Sequence, residues 1–133
     1  MLIRVLYVSE IADAVSAADV SRLVAHAQRK NRQLDLTGAL LVCDEHFVQA
    51  LEGDERAVTR MMEAIAVDGR HHNLVMKGRV PIIRRLFATW DMAFIDDMQC
   101  KPALLNLLAN RTTPEEFLEV LISWLEDRKN APY

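Results

Sequence analysis

Apolar and polar positions along this 133-residue chain follow two different periods, and the switches between them mark its elements. Residues 2 to 9 are rich in Val, Ile, Leu and Tyr and predict a strand. Ser16-Ala17-Ala18-Asp19 has the form of a capping box, and Val20, Leu23, Val24 and Ala27 then recur at helical spacing. That helix is expected to end near Asn31. Residues 37 to 43 and 46 to 51 predict two strands joined tightly at Asp44-Glu45. Gly53-Asp54 opens a second helix with Val58, Met61, Met62 and Ile65 on one side, and Asp68-Gly69 stops it. Two more strands are predicted, over residues 72 to 81 and 86 to 94.

The order βαββαββ defines an α+β fold whose first six elements match the split βαβ, ferredoxin-like arrangement, with two helices on one sheet face. Ala39-Leu40-Leu41-Val42 is apolar at successive positions, so both faces are expected to be covered. The rest of the chain can supply the second cover. Residues 101 to 109 form one helical candidate. Thr113-Pro114-Glu115-Glu116 starts another, with a threonine cap, proline at the first position and acids in the first turn. Phe117, Leu118, Leu121, Ile122, Trp124 and Leu125 give it a broad apolar face.

Composition adds mainly exclusions. The chain is 51% hydrophobic and 26% charged, as an ordinary globular domain is, and its length is that of one domain able to bury a core. A net charge of −3 encodes no general attraction to nucleic acid. Lys77, Arg79, Arg84 and Arg85 form a local basic cluster, read as the solvated face of the last hairpin. Cys43 and Cys100 match no zinc or redox spacing; two lone cysteines without a signal peptide point to a reducing cytoplasm. The run Leu2 to Val8 is too short for an export or membrane segment.

Conventional catalytic patterns are missing: there is no Gly-rich phosphate loop, no nucleophile elbow and no metal-type cysteine pairing. His71 and His72 are adjacent, so in a strand they face opposite ways and cannot jointly chelate an ion. Asp44-Glu45-His46 reads as a hairpin turn, and Asp96-Asp97 as the exit from the last strand. The informative residues lie elsewhere. Gln49 falls within Phe47-Val48-Gln49-Ala50-Leu51, turned the same way as Phe47 and Leu51, and an amide on an apolar strand face must find hydrogen-bond partners. Tyr7 shares a strand face with Ile3, Val5 and Ser9, and Asn31 continues the buried stripe of the first helix. All three are expected on the helical side of the sheet, which suggests a buried polar ligand. Trp90 and Met92, two apart on the last predicted strand, are expected on one face.

Five pieces in order then resemble the BLUF family, the flavin-binding blue-light sensors. They are Tyr7-Val8-Ser9; Asn31 with Leu36-Thr37-Gly38-Ala39-Leu40-Leu41; Phe47-Val48-Gln49-Ala50-Leu51-Glu52-Gly53; Asp68-Gly69-Arg70-His71-His72; and Arg84 through Met92. The resemblance covers about residues 1 to 95 and implies a photosensor core there, with 96 to 133 as a helical cap of the same domain. It implies bound FAD, though FMN or riboflavin fits the same ring contacts. It implies Tyr7 as electron and proton donor to the excited ring, and Gln49 between Tyr7 and the flavin, bonding both. Asn31, with Lys30, Arg70 and His71, is implied near the ring's pyrimidine end, and Ser9, Trp90 and Met92 are implied as relays. The sequence departs from the family pattern at Lys30, where Asn or His is common, and at Asp35, a usual Gly. It departs again at Ala50, usually a larger aliphatic, and at Asp91, usually Ser.

By that resemblance, light makes the flavin a strong oxidant, Tyr7 gives an electron and a proton, and the Gln49 amide settles differently on recombination because its two ends have opposite hydrogen-bond roles. A new bond to the flavin carbonyl then shifts absorption to the red. Residues 95 to 128 are expected to pass the signal to a separate protein, from a homo-oligomer. Two other readings stand beside it: a flavin or small-ligand binding module without photochemistry, and an acylphosphatase-like hydrolase. The hydrolase needs an anion-cradling loop with Arg and Asn, and residues 9 to 16 contain neither.

Overall fold

A computed structural model describes residues 1–129; the last residues of the expected cap, Tyr133 among them, lie outside the described residues. The elements in chain order are β1 (Leu2–Ile11), α1 (Ala17–Gln33), β2 (Thr37–Cys43), β3 (His46–Asp54), α2 (Glu55–Ala66), β4 (His71–Pro81), β5 (Ala93–Asp96), α3 (Lys101–Leu108) and α4 (Pro114–Lys129). The sheet order is β4-β1-β3-β2-β5, antiparallel throughout except that β5 runs parallel to β2. The first four strands thus carry the ferredoxin-like order, and β5 extends the sheet beyond β2.

Both faces are covered. On one, Ile3, Val5, Leu40, Val42, Phe47 and Leu51 pack against Val20 and Val24 of α1 and Val58 and Met62 of α2. On the other, Leu6, Val8, Ala39, Leu41, Val48 and Ala50 pack with Leu104 and Leu107 of α3 and Phe117, Leu118 and Leu121 of α4. Strands buried on both sides therefore read as continuous apolar runs. Ser16 caps α1 through the full capping box with Asp19. Asp54 caps α2, so β3 runs through Gly53 and the helix begins at Glu55. Helix α1 continues two residues past Asn31, to Gln33, before Asp35 turns the chain with φ 54°. Asp tolerates that left-handed conformation better than most residues, which is how it stands in for glycine there.

The principal departure concerns residues 82 to 92. The strand expected over 86 to 94 is instead a non-repetitive crossover, and β5 begins only at Ala93. Backbone donors that a strand would give to a neighbour go to a side chain: the N–H groups of Leu86 and Phe87 both donate to the Glu52 carboxylate, each at 2.8 Å. Without strand alternation the two-residue rule fails for Trp90 and Met92. Met92 packs in the core under α1 and α2, whereas Trp90 packs with Phe87 on the opposite face, ring centroids 6.3 Å apart.

The basic cluster is not a hairpin face either. Arg79 pairs with Glu55, Lys77 donates to Asn110, and Arg85 reaches Thr37 and Asp35. Cys43 and Cys100 are buried and unpaired in the core beneath α3 and α4, and burial pushes the Cys100 thiol up to about 11. No helix among the described residues is long and apolar enough to cross a membrane.

Candidate functional site

Strand register builds the floor of the site. Tyr7 lies opposite Gln49 across the β1–β3 ladder, and Leu40 lies opposite Gln49 on the other side. The Tyr7 hydroxyl donates to Gln49 Oε1 in a buried hydrogen bond. Gln49 Nε2 in turn faces Met92, with the thioether sulfur at 3.7 Å as its acceptor. Two register shifts in the β1–β4 pairing flank this row, between Leu6 and Tyr7 and between Val8 and Glu10. Irregularities of this kind commonly re-aim side chains beside functional sites.

Above the floor, between the sheet and helices α1 and α2, is a cleft with about 690 Å³ of space unfilled by protein, part of it open to solvent. Leu23, Ala27, Leu40, Phe47, Met61 and Ile65 make its apolar walls, while Tyr7, Gln49, Asn31, Lys30, Arg70 and His71 all line it. The residues singled out in the sequence as ring contacts therefore meet in one place.

Each polar group has a definite arrangement. Asn31, 1% exposed, donates from Nδ2 to the Asp91 carbonyl at 2.6 Å. One turn earlier, Gln28 donates to the Met92 carbonyl at 3.1 Å, so α1 grips two consecutive residues of the crossover. His71 lies 2.6 Å from both Ser9 Oγ, through Nδ1, and the Ile65 carbonyl, through Nε2. The carbonyl can only accept, which places a proton on Nε2. Ser9 is thereby tied to His71 and the end of α2 rather than to Trp90 or Met92. His72 points away and pairs with Glu10 at the surface. Lys30 is exposed at the cleft margin.

Asp68 is a lining residue to which the sequence reading gave no site role, using it as a helix stop and as part of the Asp68–His72 family piece. It accepts from the Arg70 backbone N–H at 2.9 Å and from the Arg70 guanidinium at 2.6 Å, fixing Arg70 at the mouth. The signal was present in the Asp-Gly-Arg spacing, since an aspartate often accepts from the backbone two residues on. Arg70 holds the Asp68 carboxyl below its ordinary value of 3.8, chiefly through the side-chain hydrogen bond. Burial, and secondarily the charge of Asp68, hold the Tyr7 phenol well above its usual range, so it remains a protonated donor.

The sign of the Asp68 shift gives a pH expectation. A depressed folded pKa contributes stability above the unfolded value of 3.8, and that contribution is lost as pH falls through the folded value. Thermal unfolding followed from about pH 6 to about pH 3 should show a steeper acid loss for the wild type than for Asp68→Asn. Equal slopes would mean that the pair contributes nothing.

Fold and site together define a ferredoxin-like ligand-binding domain, with an apolar cleft over a tyrosine–glutamine floor. Residues 2–93 match the family described as BLUF, sensors of blue-light using FAD. The chain belongs to the BLUF family, the blue-light flavin sensors. The blue light- and temperature-regulated antirepressor BluF of Escherichia coli K12 is 41% identical over 75 residues, 56% of this chain and 19% of that protein. A photoactivated adenylate cyclase subunit beta of Euglena longa is 36% identical over 87 residues, 65% of this chain and 10% of that one. The dark-state structure of the BLUF protein BlrB superposes with a TM-score of 0.77 at 28% identity, covering 90% of this chain and 91% of BlrB.

The match thus spans about a fifth of the antirepressor and a tenth of the cyclase subunit. The family is described as one of sensors, and membership in it favours the sensor reading over the hydrolase one.

Proposed function

We propose that this chain is a blue-light receptor whose switch is the Tyr7–Gln49–Met92 row beneath a flavin held in the cleft. The observation that carries the reading is the under-satisfied amide of Gln49. It is 5% exposed, and its only acceptor among the described residues is a thioether, a weak one. A buried amide costs free energy unless better paired, and a ring with carbonyl and nitrogen acceptors over the floor would supply the partner. The donor set fits a flavin: apolar walls for the rings, amides at Asn31 and Gln49 for the polar edge, and Lys30 and Arg70 at the margin for anionic parts. FAD is the form we assign, by the family's definition.

When bound, a photoexcited flavin supplies a strong oxidant. The chain's own part begins with Tyr7, which is buried, protonated and able to give an electron and its proton together through Gln49. On recombination Tyr7 takes both back, and an end-over-end turn of the Gln49 amide replaces the acceptor facing Tyr7 with a donor and removes the N–H from Met92; the tautomer instead turns an Oε1–H toward Tyr7 without rotation. Asn31 keeps the cofactor edge in register, and His71, held between Ser9 and Ile65, keeps the Tyr7 side of the cleft rigid. Met92 is the first protein group to register the change; Trp90, on the opposite face, lies further along.

In this reading residues 1–95 sense and the helices that follow present the signal to a separate protein, from a homo-oligomer in a reducing cytoplasm. Two unpaired buried cysteines are consistent with such a compartment.

Titration of FAD, FMN and riboflavin into protein freed of flavin tests the ring-binding part. All three should bind, and Asn31→Ala should weaken each by roughly 10- to 100-fold, the equivalent of about 1–3 kcal/mol of hydrogen bonding. Unchanged affinities would remove Asn31 from the site.

A further inference from the structure

We infer that Glu52 is a positioning residue for the switch: its carboxylate anchors the crossover 86–92 to the sheet and links the Gln49–Met92 contact to the helices on the opposite face. The inference deepens the photoswitch reading and rests on it for its light-dependent part. Glu52 is wholly buried, which is rare for a glutamate unless it is paired. Strand register puts it in one row with Arg4 on β1 and Thr37 on β2.

All four of its partners donate. Arg4 Nε lies 2.8 Å from Oε2, and Thr37 Oγ1 lies 3.4 Å from Oε1. The backbone N–H groups of Leu86 and Phe87 take one oxygen each at 2.8 Å. Arg85 extends the network by donating to Thr37 at 3.2 Å. A carboxylate, which only accepts, suits such a set, and no neutral side chain of the same size can match it.

Position gives the anchor its consequence. Glu52 lies three residues from Gln49 on β3, so the two side chains leave opposite faces of the sheet. The crossover joins those faces. It starts at the Glu52 clamp with Phe87, fully buried against the core of α3 and α4, and ends with Met92 against Gln49. Between them the Trp90 carbonyl accepts from Gly38 N–H, and Asn31 and Gln28 hold Asp91 and Met92. With the segment fixed at both ends, a displacement of Met92 has few ways to dissipate and is passed to Trp90 and Phe87. With the Glu52 end released, the same displacement is absorbed locally.

The test is amide hydrogen exchange by mass spectrometry on the full chain with flavin, in the dark and under blue light, for wild type and Glu52→Gln. The glutamine keeps the shape but offers one acceptor oxygen and turns an NH2 toward donors. Expected in the dark is exchange about tenfold faster over 86–92 in Glu52→Gln, the loss of a charge-assisted hydrogen bond. Under light the variant should keep the wild-type flavin shift yet lose the light-dependent exchange change in residues 101–125.

Wild-type exchange over 86–92 in the variant, or an unaltered light response in 101–125, would overturn the inference. Were the wild type itself to show no flavin shift, the photoswitch reading would fail, while the dark comparison would still decide the anchor. Should Glu52→Gln not fold, Arg4→Lys provides the second arm. It keeps the charge beside Glu52 but not the Nε donor, and is expected to speed exchange over 86–92 to a lesser degree; no change there would also overturn the inference.

Discussion

Tyr7→Phe should retain the flavin and abolish the light-induced red shift. The ring of Phe fills the same buried space on β1, so the apolar floor survives. What disappears is the hydroxyl, the one donor to Gln49 Oε1 among the described residues and the proposed source of both electron and proton. Its removal leaves a buried acceptor unpaired, a loss of about 1–3 kcal/mol that a domain of this size tolerates. The expected photochemical effect is complete because Tyr7 is the only tyrosine among the described residues; the other, Tyr133, lies outside them. Absorption spectra of the purified variant before and after blue light check this directly. If flavin is lost instead, Tyr7 is a binding residue and the donor role is withdrawn.

Gly38→Ala should be the most damaging single methyl in the sheet. A Cβ at residue 38 would lie 2.1 Å from the Ala50 carbonyl oxygen and 3.3 Å from Leu51 Cα, both backbone atoms of β3. Neither can rotate aside, so β2 and β3 must separate where Gln49 is positioned and where Gly38 N–H holds the Trp90 carbonyl. Overpacking of this kind costs up to about 3 kcal/mol and sometimes more. With a few degrees of melting temperature per kcal/mol, a drop of roughly 10 °C is expected. Thermal unfolding of wild type and variant measures it, and flavin content should fall in parallel. A drop of only a degree or two would show that the strands can part without loss. By contrast, a Cβ at Gly69 meets nothing within 4 Å, so Gly69→Ala serves as the control.

The central sheet was legible because strand periodicity and burial coincide: β1, β2 and β3 carry long apolar runs, and their pairing follows from the hairpin and the crossover helices. Gln49, Tyr7 and Asn31 were legible for the opposite reason. Each is a hydrogen-bonding group in an apolar setting, and such groups require partners. The crossover was not legible. Leu86 to Met92 look like a strand by composition, but the Leu86 and Phe87 N–H groups go to the Glu52 side chain, 34 and 35 residues earlier in sequence, and that leaves no periodic trace. For the same reason the Trp90 and Met92 faces were misassigned. Glu52 enters the sequence reading only as part of the Phe47–Gly53 family piece, because an acidic residue at the end of a strand ordinarily reads as solvated. Only the register, which sets Arg4 and Thr37 on either side of it, shows that it is enclosed.

The measurement that bears most directly on the proposed switch is an absorption spectrum of the purified protein in the dark and after blue light. The account predicts a bound flavin whose spectrum moves slightly to the red without bleaching and recovers in darkness. A flavin that bleaches or does not respond would contradict the Tyr7–Gln49 switch and leave a binding domain, and a protein that stays colourless with added FAD would contradict the cofactor assignment itself.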